Sequence, residues 1–210
     1  MNRRFYYWGE YENELISIVM QPYDKSKVGR LIAWRGDHFV YNYDQDKVIK
    51  FSKFEFLLGK KYTEKTTQDY NICKQFFGKY VLDTEIIVLP QNQRSIKIQP
   101  KITGHHLTKE DLKDLSIARQ FDEIMASYRL LTQAGNAEID LIGQEGFFKR
   151  SMGNIFITPN RQLFIIDAML FDIQGFAIFR PFFSLIFMIG LWRQKSIIKY
   201  FLNYEAKSNL

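Results

Sequence analysis

With 210 residues, of which 46% are hydrophobic and 16% aromatic, the chain can bury a core for one domain or two small lobes, which excludes disorder. One cysteine, Cys73, excludes an internal disulfide framework and fits a reducing, cytoplasmic compartment. The net charge of +6 is spread rather than blocked, which suits a mild attraction for polyanions, nucleotides or anionic membranes and leaves a basic nucleic-acid binder as a disfavoured third reading.

The first thirty residues are mixed and turn-rich, and "MNRRFYYWGEYENELI" has no uninterrupted apolar segment behind its arginines, so no secretory signal is expected. From Arg30, "RLIAWRGDHFVYNYDQDKVIKF" reads as three short strands, broken at Arg35-Gly36-Asp37 and at Asp44-Gln45-Asp46. The third ends in Val48-Ile49-Lys50-Phe51, an apolar run interrupted by one lysine. "EKTTQDYNICKQFF", residues 64–77, predicts a helix, with Thr66 and Asp69 at capping-box spacing and Gly78 as its stop. "EIIVLP" and "RSIKIQP" predict two more strands around a Gln-Asn-Gln turn, the second ended by Pro100. "KITGHHL" reads as a connector. Its adjacent His105 and His106 point to opposite faces of an extended segment, and no third ligand lies at zinc spacing.

A second capping box, Thr108 to Asp111, predicts the strongest helix, running to Gln133 before Gly135. Leu112, Leu115, Ala118, Phe121, Met125 and Tyr128 form its apolar stripe. "MGNIFITPNRQLFIID" then reads as a hairpin with Asn154 near one end and Asp167 at the other. The most membrane-like segment is "GFAIFRPFFSLIFMIGLW", but its clean run from Pro181 to Trp192 falls short of the ~20 apolar residues that span a bilayer. A buried C-terminal helix is expected there. The alternative is an interfacial helix over residues 181–195, anchored by Trp192, Arg193 and Lys195.

Four features form a chemical constellation: Gly36 at a strand turn, Lys50 on a strand, Asp69 on the next helix, and Asn154 with Asp167 at the ends of a hairpin. Phosphoryl transfer needs charge neutralised at fixed points. A lysine holds nucleotide phosphates, an acid holds the lysine, and an amide oxygen and a carboxylate hold Mg²⁺. A rigid hairpin brings the last two together.

In "GDHFVY…KVIKF", "IKIQPKITG" and "GNIFITPNRQLFIID", over roughly residues 29–170, the chain resembles small divergent bacterial members of the protein-kinase-like superfamily, among them aminoglycoside, choline and lipopolysaccharide-sugar kinases. The resemblance implies an α+β, bilobal fold, with a β-rich N-lobe over 1–100, a hinge over 101–107 and a reduced helical C-lobe over 108–210. It implies ATP and Mg²⁺ as cofactors. Lys50 matches the phosphate lysine, with Asp69 or Glu64 as its helix acid. Gly36 is what remains of the glycine-rich loop, and Gln99 to Ile102, Lys101 included, match the hinge whose backbone contacts adenine. Asn154 and Asp167 match the metal-binding pair, and the thirteen-residue step between them is the family's usual one.

The departures matter as much. The position five before Asn154, where the family carries its catalytic Asp, holds Lys149. The DFG triplet reads Asp167-Ala168-Met169, and no APE segment follows. Two readings stay open. In one, Asp140 supplies the carboxylate across an inserted loop, and Lys149 or Arg150 stabilises the transferred phosphoryl group, so the chain is a phosphotransferase for a small-molecule or lipid-linked acceptor. In the other, the chain is a pseudokinase that binds nucleotide or a partner as a regulator.

Overall fold

The computed structural model describes residues 23–35, 38–52, 60–89, 94–135, 138–143, 148–171 and 180–203. It is an α+β structure whose described part holds ten strands and three α-helices, with short 3₁₀ turns between them.

Strands β1 (Val28–Arg35), β2 (His38–Tyr43), β3 (Lys47–Ser52), β4 (Glu85–Leu89) and β5 (Arg94–Pro100) form one antiparallel sheet in the order β1-β2-β3-β5-β4. All five match the sequence reading. Asp44, at φ 59, makes the β2–β3 turn, while the β1–β2 turn with Gly36 lies outside the described residues.

Period-two alternation gives this sheet two different faces. Phe39, Tyr41 and Tyr43 share one face with Ile49, Phe51, Ile96 and Ile98, and with Tyr23 they form a small hydrophobic cluster. There the Tyr41 and Phe51 rings meet edge to face at 5.8 Å. The opposite face carries His38, Lys50, Ser52, Lys97 and Gln99. All of these but Lys50 are buried.

Helix α1 (Lys60–Phe77) follows β3. It begins earlier than the sequence reading placed it, so Thr66 is a buried residue of the helix interior rather than a cap. Its C-terminal part, Cys73 and Phe77, belongs to the larger of the two hydrophobic clusters. The Cys73 thiol is fully buried, and burial, with the nearby Asp69 charge adding, pushes its pKa up to about 12.

The segment read as a connector contains a strand. After Lys101–Gly104, β6 (His105–Leu107) pairs antiparallel with β8 (Met152–Ile157), which pairs in turn with β9 (Leu163–Ile165). Gly104 permits this: at φ +143, a Cβ there would lie 1.8 Å from the Ile157 carbonyl oxygen. His105 and His106 do face opposite ways. His105 bonds Asp111 at 2.9 Å in solvent, and His106 packs edge to face on Phe156.

The predicted Thr108 box exists, with the Thr108 amide and hydroxyl both donating to Asp111, but it organises a 3₁₀ turn over Glu110–Lys113. The chain turns extended at Asp114, and α2 (Leu115–Gln133) restarts with the Asp114 side chain accepting from the Ser116 amide. That restart shifts the apolar stripe. Phe121 and Met125 are buried as expected, but Leu115 is 74% exposed, and Ile117, Ile124 and Leu131 complete the inner face.

The remaining elements are β7 (Glu138–Ile139), β10 (Leu170–Phe171), which pairs with β7, and α3 (Arg180–Leu202). Helix α3 runs about ten residues past the predicted end at Trp192, and its second half buries Ile197, Ile198 and Phe201. Among the described residues, no helix is long and apolar enough to cross a membrane.

Candidate functional site

The hairpin pairs Ile155 with Ile165 and Ile157 with Leu163 around a turn closed by Thr158 and Gln162. The ladder continues one step, with the Ile166 amide donating to the Asn154 carbonyl at 3.0 Å. Asn154 and Asp167 therefore share the hairpin's open end, as the sequence reading required.

A loop after β7 closes over that end. The Asn154 amide donates to the Leu141 carbonyl at 3.1 Å, and its side-chain Nδ2 donates to the Asp140 carbonyl at 2.9 Å. Asp140 Oδ1 accepts the amides of Ile142 and Gly143 at 3.1 and 2.8 Å, which holds the loop curled. Gly143 has φ +53, and a Cβ there would stand 2.4 Å from Asn154 Oδ1. The loop is thus shaped around the Asn154 amide. Beneath it, the fully buried Gln194 of α3 accepts the Leu141 amide at 2.8 Å and donates to the Ile139 carbonyl at 2.9 Å.

The polar face of the large sheet meets the hairpin end. Lys50 Nζ donates to the Ile166 carbonyl at 3.1 Å, and Gln99 Nε2 donates to the same oxygen at 3.3 Å and to Thr84 Oγ1 at 2.6 Å. Lys97 stands directly opposite Lys50 on β5. Its Nζ lies 3.8 Å from Asp167 Oδ1 and 3.2 Å from His38 Nε2, while His38 Nδ1 lies 4.0 Å from Asp167 Oδ2. The structure thus brings together Lys50, Gln99, Asn154 and Asp167, with Asp140 one hydrogen bond away.

Other predicted residues lie elsewhere or have other partners. Asp69 is buried, with its carboxylate on Lys65, one helical turn away, and on the Leu170 amide at 3.1 Å. Glu64 is exposed and pairs with Lys60 at 3.6 Å. Gln99 presents its side chain to the cluster rather than a free edge, and the Lys101 amide is taken by the Asp46 carbonyl at 2.7 Å. Lys149 is exposed, and the Arg150 guanidinium stacks over Tyr200 at 5.3 Å.

Lys97, His38, Gly143 and Gln194 were not singled out from the sequence. For Lys97 a signal existed: Ile96-Lys97-Ile98 repeats the apolar–lysine–apolar pattern of Ile49-Lys50-Phe51. His38 and Gln194 carry no comparable pattern.

Chemically, the cluster offers two ammonium groups, one carboxylate and two side-chain amides where the polar face of the large sheet meets the hairpin end. The Asp167 carboxylate and Asn154 Oδ1 are hard oxygen donors of the kind Mg²⁺ takes one or two of, keeping water in its other positions. Gly143, having no Cβ, lets the loop close directly onto Oδ1. Among the described residues no three His, Cys, Asp or Glu side chains gather as a metal cage. Two open surface grooves, one along α1 beside Val88 and one between Gly104 and Arg161, contain none of Lys50, Asn154 and Asp167. No protein-family model matches the chain, and no curated protein matches it.

Proposed function

We propose that the chain is a bilobal, kinase-like Mg-ATP-dependent phosphotransferase acting on a small-molecule or lipid-linked acceptor. One observation carries this reading: Lys50, 116 positions from Ile166 in sequence, reaches across to its carbonyl, next to the carboxylate that shares a hairpin end with Asn154. Three residues chosen for phosphate and metal chemistry meet at one place.

In this reading catalysis is positioning and charge neutralisation. Lys50 would hold phosphate oxygens, Asn154 Oδ1 and Asp167 would hold a magnesium ion, which would supply charge neutralisation when bound, and Asp140 would accept the acceptor's hydroxyl proton. The Ile166 carbonyl, which also accepts from Gln99, anchors the Lys50 ammonium above the hairpin. A peripheral membrane contact through residues 181–195 belongs to the same proposal. It is supported by Met188, Ile189 and Trp192, exposed on one face of α3.

A second reading, a nucleotide-binding pseudokinase, has its own support. Asp140 Oδ1 is engaged by two amides of its own loop, and the position five before Asn154 is the exposed Lys149. Thermal-shift titration with ATP, with and without Mg²⁺, tests what both readings share. Metal-dependent stabilisation that disappears in Asp167→Ala supports the site, and none at millimolar nucleotide defeats it. Phosphoryl transfer to candidate sugar or lipid-linked acceptors then separates enzyme from pseudokinase.

A further inference from the structure

Two lysines directly opposite one another on neighbouring antiparallel strands are an unusual expense in a buried sheet face, because like charges so placed repel. Lys97 is the costlier of the two, with its side chain only 9% exposed. An ammonium group has three donor hydrogens. At Lys97 one is directed at His38 Nε2, 3.2 Å away, whereas Asp167 Oδ1, at 3.8 Å, is at ion-pair range and beyond a hydrogen bond. Lys97 thus stands at ion-pair range of Asp167, and the neighbouring ammonium of Lys50 sits on the carbonyl of Ile166, the residue before it.

We propose that Lys97 is a second phosphate-holding lysine of this site, held against Asp167 and His38 when no nucleotide is present. The proposal rests on the nucleotide reading above. If Asp167 turns to a divalent cation, Lys97 loses its ion-pair partner, and a nucleotide phosphate held on that cation is the anion that replaces it. His38 is a positioning residue: a ring nitrogen facing Nζ keeps the Lys97 stem folded back toward the hairpin. Lysine suits the role better than arginine, since a flexible stem can move a point charge from carboxylate to phosphate.

A merely structural Lys97–Asp167 pair predicts something different, and a double-mutant cycle separates the two. The experiment measures ATP affinity by calorimetry in excess Mg²⁺ for the wild type, Lys97→Met, Asp167→Asn and the double variant, with far-UV circular dichroism checking folding. Lys97→Gln, which keeps a donor toward His38, replaces Lys97→Met if that variant does not fold. The expected result is a tenfold or greater loss of affinity on removing Lys97, in the wild-type and Asp167→Asn backgrounds alike. Unchanged affinity overturns the proposal, and so does a loss confined to the wild-type background, which would mark Lys97 as a partner for Asp167 alone. A wild type that binds no ATP, with Mg²⁺ or without, defeats the nucleotide reading and the proposal with it.

Discussion

The Asn154 side chain fills the space that a side chain at Gly143 would need, with Oδ1 2.4 Å from the position a Cβ would take. The contact is on the amide's oxygen side, since Nδ2 is bonded to the Asp140 carbonyl. Gly143→Ala therefore carries two penalties. The left-handed φ of +53 costs a non-glycine residue about 1–2 kcal/mol, and the methyl must push the amide aside. The expected result is a lower unfolding midpoint together with weakened Mg²⁺-dependent nucleotide stabilisation. Thermal unfolding at several Mg²⁺ concentrations reads both, and a variant that loses stability while keeping its Mg²⁺ response would disconnect Oδ1 from the metal.

Asp140 has a structural duty and a proposed chemical one, and two substitutions part them. Asp140→Asn keeps an Oδ1 that accepts the Ile142 and Gly143 amides, so its stability should stay close to that of the wild type. Asp140→Ala leaves both amides without that acceptor, and should cost about 1 kcal/mol or more. Phosphoryl transfer should fall steeply in both variants, since neither carries a carboxylate. Turnover at wild-type level in Asp140→Asn would rule out Asp140 as the base.

Gln194 makes a similar point at longer range. Fully buried, it satisfies the Leu141 amide and the Ile139 carbonyl at the two sides of Asp140. Gln194→Leu keeps most of the volume and orphans both backbone groups, a loss of about 2–4 kcal/mol. Urea unfolding measures this directly. Because Leu141 also accepts from the Asn154 amide, nucleotide affinity should fall as well.

How far the sequence could be read depended on whether a feature was local. Strands β1 to β5 and the hairpin were legible because alternation and turn residues act within a few positions. The β6 strand was not, because its partner Ile157 is some fifty positions away and only the close approach at Gly104 exposes the pairing. The α2 stripe was misplaced at Leu115 because the Thr108–Asp111 bond, real as it is, closes a 3₁₀ turn and the helix restarts at Asp114. In the site, Lys50, Asn154 and Asp167 stood out as polar residues in apolar runs. Asp69 also stood out, but Lys65 and the Leu170 amide had prior claim to its carboxylate. His38 becomes visible only once the sheet aligns it with Lys97 and Asp167.

Acid should weaken the fold partly through Asp111. Burial alone would raise its pKa, but hydrogen bonds from the Thr108 hydroxyl, His105 and the Thr108 amide outweigh this and hold it below the usual carboxylate range. A carboxyl depressed in the folded state contributes stability that is present above its unfolded pKa, about 3.9, and is lost as pH falls through the folded value. The unfolding midpoint of the wild type should therefore drop more steeply than that of Asp111→Asn as pH falls below about 4. Parallel curves for the two would mean that these bonds add no net stability.

Trp192 tests the surface of α3. It is 70% exposed, one helical turn from Met188, with Ile189 on the same side. Nothing in the fold is stabilised by leaving an indole in water, so Trp192→Ser should change stability by no more than about 0.5 kcal/mol. If this face lies in a lipid interface, the wild type should co-sediment with anionic phospholipid vesicles and the variant several-fold less. Tryptophan fluorescence should shift to the blue on adding vesicles to the wild type, with the shift diminished in the variant. A wild type that stays in the supernatant at low salt would remove the membrane from the proposal and leave the phosphotransferase site untouched.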